Sequence, residues 1–248
     1  MTPLAGRIAA ALTALGVQAG DTLLVHSSLK SLGVAEAAPG DVVEGLLAAL
    51  GPEGTLVFPA LSYRFCGPQS PEFDQVRTPS CVGAIPEHFR TWPGVRRSLC
   101  PTHSCAALGP LTPFLLGEHH LDGTPCGPRS PFARLREVGG RVLFLGCGCG
   151  CNTSMHAVEE VVRPPYLFGP PVDYRAVTAA GEVLALRCLS HNFSGVRQRY
   201  DRLPGWMERG VVRGKALGAD CVLLDAVPMW ETALAALERD PCALVEPC

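Results

Sequence analysis

The chain has 248 residues, 47% of them hydrophobic, so it can bury a substantial core as one large α/β domain or two small ones. Its 21 basic and 23 acidic residues give a formal charge of −2 and lie scattered along the chain. That balance leaves no electrostatic footprint for nucleic acid or an anionic membrane, and small-molecule partners become the expectation.

At the N-terminus Leu4, Ile8, Leu12 and Leu15 recur at helical spacing and Arg7 interrupts the apolar run. This predicts an amphipathic first helix rather than an export signal. No run approaches the ~20 apolar residues that a membrane span needs, so a soluble, cytoplasmic protein is expected. Twelve cysteines are many for this length; without an export signal they are read as reduced thiols, most of them small core residues.

Residues 21–26 read as a buried strand, and 27–33 as a turn into a helix or helical turn. Pro39-Gly40-Asp41 opens an amphipathic helix with Val42, Val43, Leu46, Leu47 and Leu50 inward and Gly51 as its stop; 55–58 form the next strand. This β-α-β order predicts parallel pairing with a right-handed crossover. From 59 to 80 the pattern dissolves into Pro, Gly, Ser and aromatic residues, a loop too long for a mere connector. A short helix over 83–90, an apolar stretch over 97–108 and a second Pro-, Gly- and His-rich loop over 109–130 follow. A helix over 131–138 precedes a strand over 141–145. The segments 172–178 and 182–189 suggest an antiparallel hairpin on an outer edge of a mixed sheet. A helical stretch over 193–203, a strand over 221–224 and a final helix over 229–239 complete the chain. No repeat or linker divides it, so a single domain over 1–248 is expected.

The densest chemistry lies in GCGCGCNTSMHAVEE at 146–160. After the 141–145 strand comes a glycine-broken turn, then a helix capped by Asn152 or Thr153 that puts His156 and Glu159 on one face. Near a helix N-terminus the dipole disfavours imidazolium, so His156 suits a base, with Glu159 beside it. The same pair also fits a merely solvated helix face. Cys147, Cys149 and Cys151 alternate, which could bring three sulfurs to one side of an extended segment with His103 or His156 as a fourth zinc ligand. Zinc sites usually space their cysteines by two to four residues with a second pair, which this chain lacks, and no metal is the preferred reading.

Taken together, VHSSLKSLG at 25–33, TPSCVGAIPEHFR at 78–90, PTHSCAALG at 101–109, GPRSPFARL at 127–135 and NTSMHAVEE at 152–160 resemble, in order, the aminoglycoside 3-N-acetyltransferase family. The resemblance implies an α/β/α sandwich around a central mixed sheet, unlike the more common acetyltransferase fold. It implies acetyl transfer from acetyl-CoA to an amine, with the 3-amino group of 2-deoxystreptamine as the favoured acceptor. His156 is then the general base with Glu159 and His103 in support. His26, Ser27, Ser28, Leu29, Thr78, Ser80, Val82, Gly83, Thr102, Ser104, Arg129, Ser130 and Phe132 are expected on the CoA side, and Glu118, His119, Asp122, Asn152 and Glu160 on the amine side. Two departures fall where the acceptor pocket is expected: the cysteine-rich 146–151 turn, where many relatives resemble G-V-G-x-D-S, and Thr124-Pro125-Cys126 after 118–122. Two rivals remain: a CoA-dependent acyltransferase for another amine, and a zinc or thiol protein using Cys147, Cys149 and Cys151.

Overall fold

A computed structural model describes residues 1–248. In chain order the elements are α1 (Pro3–Leu15), β1 (Thr22–Ser27), α2 (Pro39–Leu50), β2 (Thr55–Pro59), β3 (Glu72–Asp74), α3 (Ala84–Arg90), β4 (Arg96–Arg97), β5 (Cys105–Leu108), α4 (Thr112–Leu116), α5 (Pro131–Arg134) and β6 (Arg141–Leu145). They continue with α6 (Ser154–Val162), β7 (Phe168–Val177), β8 (Val183–His191), β9 (Val196–Gln198), α7 (Leu203–Trp206), β10 (Val211–Ala216), β11 (Ala219–Asp225), α8 (Ala226–Arg239) and β12 (Val245–Pro247).

Seven strands form a mixed sheet in the order β10-β11-β6-β1-β2-β5-β4. Only β1–β2 and β1–β6 are parallel; the outer pairs run antiparallel. The central strands carry unbroken apolar runs, Leu23–Val25, Leu56–Phe58 and Val142–Leu145, because both faces are covered. Leu23, Val25, Leu143 and Leu145 point into a core with Ile8, Leu12, Leu46 and Phe89 of α1 to α3. Their alternates Leu24, Val142 and Phe144 point into a second core with Met155, Val158, Met229 and Trp230 of α6 and α8. Period-two alternation thus builds the expected α/β/α sandwich.

A side-chain cap fixes where α1 begins. Thr2 Oγ1 accepts the Ala5 N–H at 3.1 Å and donates to Asp41 Oδ1 at 2.6 Å, tying α1 to the start of α2. Because β1 pairs β6 on one side and β2 on the other, the order in which strands are added reverses at β1, and the connections diverge at its carboxyl end and leave a crevice there. Gly146 closes β6 at φ 69°, and a Cβ there would meet Ser31 Cβ at 2.5 Å; the tight turn that follows needs glycine.

Several expectations change. The 27–33 segment takes the shorter of its two expected forms, a three-residue 3-10 turn over Lys30–Leu32 rather than a helix. The 131–138 helix stops after one turn at Arg134. The 172–189 hairpin does not edge the central sheet. It forms a separate three-stranded sheet with β3, over Cys66, Phe73, Leu99 and Tyr174. The helix expected over 193–203 is instead a loop, β9 and a 3-10 turn, Tyr200–Arg202, because Gly195 takes φ 78° and β9 pairs with β12. Strand β10, with only Ala216 fully buried, gave no alternating signal.

Candidate active site

At the carboxyl ends of β1, β2 and β6 lies a cleft of about 640 Å³. Helix α6 enters beside it: Asn152 Oδ1 accepts the Ser154 N–H at 3.2 Å, while Thr153 makes no capping bond. Met155, Ala157 and Val158 face the core, and the helical turn then brings His156 and Glu159 together. His156 Nδ1 lies 3.1 Å from Glu159 Oε2. Tyr200 donates its hydroxyl proton to the same oxygen at 2.8 Å, and its oxygen sits 3.0 Å from His156 Nδ1. Tyr166 donates to Glu159 Oε1 at 2.9 Å. With acceptors on that side, the network assigns the imidazole proton to Nδ1 and leaves the Nε2 lone pair on a ring that lines the cleft. Glu159 is fully buried, so its charge is held by these three donors rather than by water. Burial, then the Glu159 charge, pushes the Tyr200 phenol far above its ordinary value, and it stays a donor.

Two further histidines crowd this ring. His103 and His191 stand edge-on to His156 at centroid distances of 5.7 and 5.1 Å, and Phe193 covers it at 4.9 Å. Burial, then the neighbouring imidazoles, holds both His103 and His191 well below the usual histidine range, so they are neutral. His103 Nδ1 is 2.9 Å from Thr102 Oγ1, and His191 Nε2 is 2.8 Å from Glu160 Oε1. The Cys126 N–H also donates to Glu160 Oε1, at 2.7 Å, while Glu160 Oε2 is buried without a partner. Burial pushes the Glu160 carboxyl up to about 7 despite those bonds.

Of the residues singled out from sequence, His26, Ser27, Val82, Thr102, His103, Cys147, Cys151, Asn152, Thr153 and His156 line the cleft. His26 stacks on Phe144 at 5.2 Å; its Nε2 and the Ser27 hydroxyl are buried without partners, unspent polar groups in the wall. The Ser28 N–H is spent on Leu145 O, and Ser28 Oγ accepts from Ser31; Leu29 sits beside them, half-buried.

The other expected residues serve the scaffold. Thr78 Oγ1 accepts the Asp74 N–H, and the Ser80 N–H donates to Glu87. Gly83 starts α3 at φ 125°, and Ser104 is locked between Ala60 O and the buried Arg97 guanidinium. Ser130 caps α5, and Phe132 is core. Arg129 and Asp122 pair with each other, Glu118 pairs with Arg134, and His119 is buried between Ser98 Oγ and Pro125 O. None of these lines the cleft, and Glu160 lies behind it, reaching it through His191.

The three-cysteine ligand set is not assembled. The segment is a 3-10 turn over Cys149–Cys151 rather than extended backbone, and Cys149 turns into the core. The one group of three potential ligand atoms within 4.8 Å is His103, Cys126 and His191. Tyr200, Tyr166, His191 and Phe193 escaped the sequence reading: they come from segments without a motif, Tyr166 from the turn after α6, His191 and Phe193 from the end of the hairpin and Tyr200 from the return after β9.

Fold and cleft are those of an α/β enzyme with an imidazole–carboxylate pair at the sheet's carboxyl edge. The family model for aminoglycoside 3-N-acetyltransferase matches residues 24–238. Aminoglycoside N(3)-acetyltransferase IV of Salmonella sp is 33% identical over 237 residues, 94% of this chain and 87% of that one. Aminoglycoside N(3)-acetyltransferase VIII of Streptomyces fradiae is 33% identical over 183 residues, 64% of this chain and 62% of that one. Among solved structures, a histidine-to-alanine mutant of aminoglycoside acetyltransferase AAC(3)-IVa in complex with a gentamicin superposes with a TM-score of 0.79 at 31% identity, covering 98% of this chain and 91% of that one. AAC-IIIb, as a binary complex with CoASH, superposes with a TM-score of 0.79 at 27% identity, covering 94% and 95%. The chain belongs to the aminoglycoside 3-N-acetyltransferase family.

Proposed function

We infer that this protein transfers the acetyl group of acetyl-CoA to the 3-amino group of the 2-deoxystreptamine ring of an aminoglycoside, with His156 as general base. One observation carries the assignment of the base: the Tyr200- and Tyr166-braced Glu159 bonds His156 Nδ1 on a ring that lines the cleft of a member of this family. A protonated amine has no lone pair to attack a thioester, so the acceptor reacts as the neutral amine, having lost one proton to solvent, and a base must take a second proton from nitrogen as the C–N bond forms. His156 Nε2 takes that proton; Glu159 stabilises the imidazolium through Nδ1 and fixes the tautomer. The ring then returns the proton to the departing sulfur. Acetyl-CoA supplies the activated acyl carbon and a thiolate leaving group. The unpartnered Ser27 hydroxyl and His26 Nε2 in the same wall fit a ligand bearing amide groups such as pantetheine.

A second reading concerns the acceptor. None of the residues lining the cleft is Asp or Glu. A polycationic antibiotic gains from carboxylates at its site, so this lining also favours an amine of fewer charges. Thiol release from acetyl-CoA, measured with gentamicin, neomycin and a panel of monoamines, decides between the two. Release with aminoglycosides and acetylation at N3 by NMR supports the first; release with monoamines alone overturns it in favour of the second.

A further inference from the structure

Acyl transfer leaves the cysteine-rich turn unexplained. Of the twelve cysteines, Cys147 and Cys151 are the one pair in hydrogen-bond contact, their Sγ atoms 3.6 Å from each other across the 3-10 turn. Both line the cleft, and His26 Nε2, buried without a partner, belongs to the same wall. Gly148 and Gly150 sit between them, with nothing within 4 Å of where a Cβ would stand, so the turn has open space in which to tighten. We propose that Cys147 and Cys151 are a reversible thiol-modification site that reacts with low-molecular-weight disulfides and closes an intramolecular disulfide in the cleft wall.

The chemistry is thiol–disulfide exchange. The Cys151 thiolate attacks one sulfur of the small disulfide, forming a mixed disulfide and expelling one thiolate, which takes up the proton that Cys151 lost. Cys147, deprotonated in turn, attacks the Cys151 sulfur; the Cys147–Cys151 bond forms and the second small thiolate leaves and is protonated. Two protein thiols are oxidised and one external disulfide is reduced to two thiols. The sulfurs approach from 3.6 Å to the ~2.05 Å of a disulfide. The two thiols titrate as a unit: the hydrogen bond between them, helped by His26, draws Cys151 down to about 5 and pushes Cys147 far up. The first proton therefore leaves readily, and the remaining one is shared. A bond that closes so short a loop and faces the cleft is a labile one, reopened by excess thiol.

Closure also reaches the reaction. The turn runs straight into Asn152, whose side chain caps the helix carrying His156. An ångström of misplacement costs up to about 10²-fold, so the oxidised protein is expected to turn over ~10-fold or more slowly, reversibly. This effect rests on the acetyltransferase reading; bond formation does not.

The test incubates the full chain with glutathione disulfide and, in a second arm, CoA disulfide, and maps products by peptide mass. The expected result is a loss of about 2 Da confined to a Cys147–Cys151 peptide and reversed by dithiothreitol, faster than any adduct on the exposed Cys242 and Cys248. Cys147→Ser should instead trap the mixed disulfide on Cys151. Faster reaction with CoA disulfide would name the cleft as the route of delivery; equal rates would name general small disulfides. Cys147 and Cys151 remaining reduced while Cys242 and Cys248 react, in protein with an unchanged melting curve, would overturn the proposal. A mapped disulfide without loss of turnover would keep the site and remove its effect on the reaction.

Discussion

Glu159 and Glu160 are adjacent in sequence, both buried, and each is bonded to a histidine of the same cluster, yet their surroundings oppose one another. Glu159 receives three donors over both oxygens. Glu160 receives two, both on Oε1, and its second oxygen has none. One carboxylate is built to hold a charge against an imidazole; the other keeps its proton up to about pH 7. Successive residues of a helix point about 100° apart, so one step along the chain moves a carboxylate from a tyrosine cage into a half-satisfied pocket. What each group can do is decided by its donors rather than by its burial.

The comparison breaks most sharply at His156. His156→Ala should lower turnover by ~10²-fold or more, the usual contribution of a positioned general base, with the melting temperature checked to show that the fold persists. Unchanged turnover in a folded variant would remove the role assigned to this ring.

Half of this contrast was legible in the sequence. The strand–turn–helix punctuation of 141–160 places His156 and Glu159 on one face from local rules alone, and β1, α2 and β2 follow from the same rules. The donors that make Glu159 differ from Glu160 arrive from elsewhere. Tyr200 lies in a segment whose apolar residues mimic a helix, but whose Gly195 takes a left-handed conformation and whose Val196–Gln198 stretch finds a strand partner in Val245–Pro247. His191 ends a strand of a sheet that stands apart from the central one. Neither segment has a local pattern that points to the cleft. Conversely, Thr78, Ser104 and Arg129 have the look of ligand contacts and spend their bonds on loops.

Next in size is Glu159→Gln. An amide can present its N–H to His156 Nδ1 and favour the wrong tautomer, and it no longer stabilises imidazolium; a loss of ~10²-fold in kcat with little change in KM for the amine is expected. A rise in KM alone would instead make Glu159 a contact for substrate ammonium.

Tyr200→Phe keeps the ring against His156 and removes one donor from the buried carboxylate. The expected cost is about 1–3 kcal/mol of stability, with turnover falling less than for Glu159→Gln because Tyr166 and His156 remain as donors. Urea denaturation beside single-turnover kinetics separates the two effects; full stability would mean that water replaces the hydroxyl.

Glu160→Gln should change turnover least, by less than about tenfold, because this group is hydrogen-bonded to His191 and not to His156. Its signature is in stability against pH. The folded carboxyl titrates at about 7, above its ordinary 4.5, so between those values the native state binds more protons than the unfolded chain and stability falls as pH rises. At about 1.4 kcal/mol per tenfold change in proton affinity, the effect is capped at roughly 3 kcal/mol and is complete above pH 7. Gln keeps an acceptor for the Cys126 N–H and has no proton to lose, so the variant should gain on the parent from pH 5 to pH 8. The buried neutral His103 and His191 act in the opposite sense, both proteins losing stability as pH falls below about 6.5; the His103 part cancels in the difference, and the His191 part changes with its partner at position 160. Parallel stability curves across pH 5 to 8 would show that Glu160 is ionised throughout, and the two glutamates would then differ only in which histidine they hold.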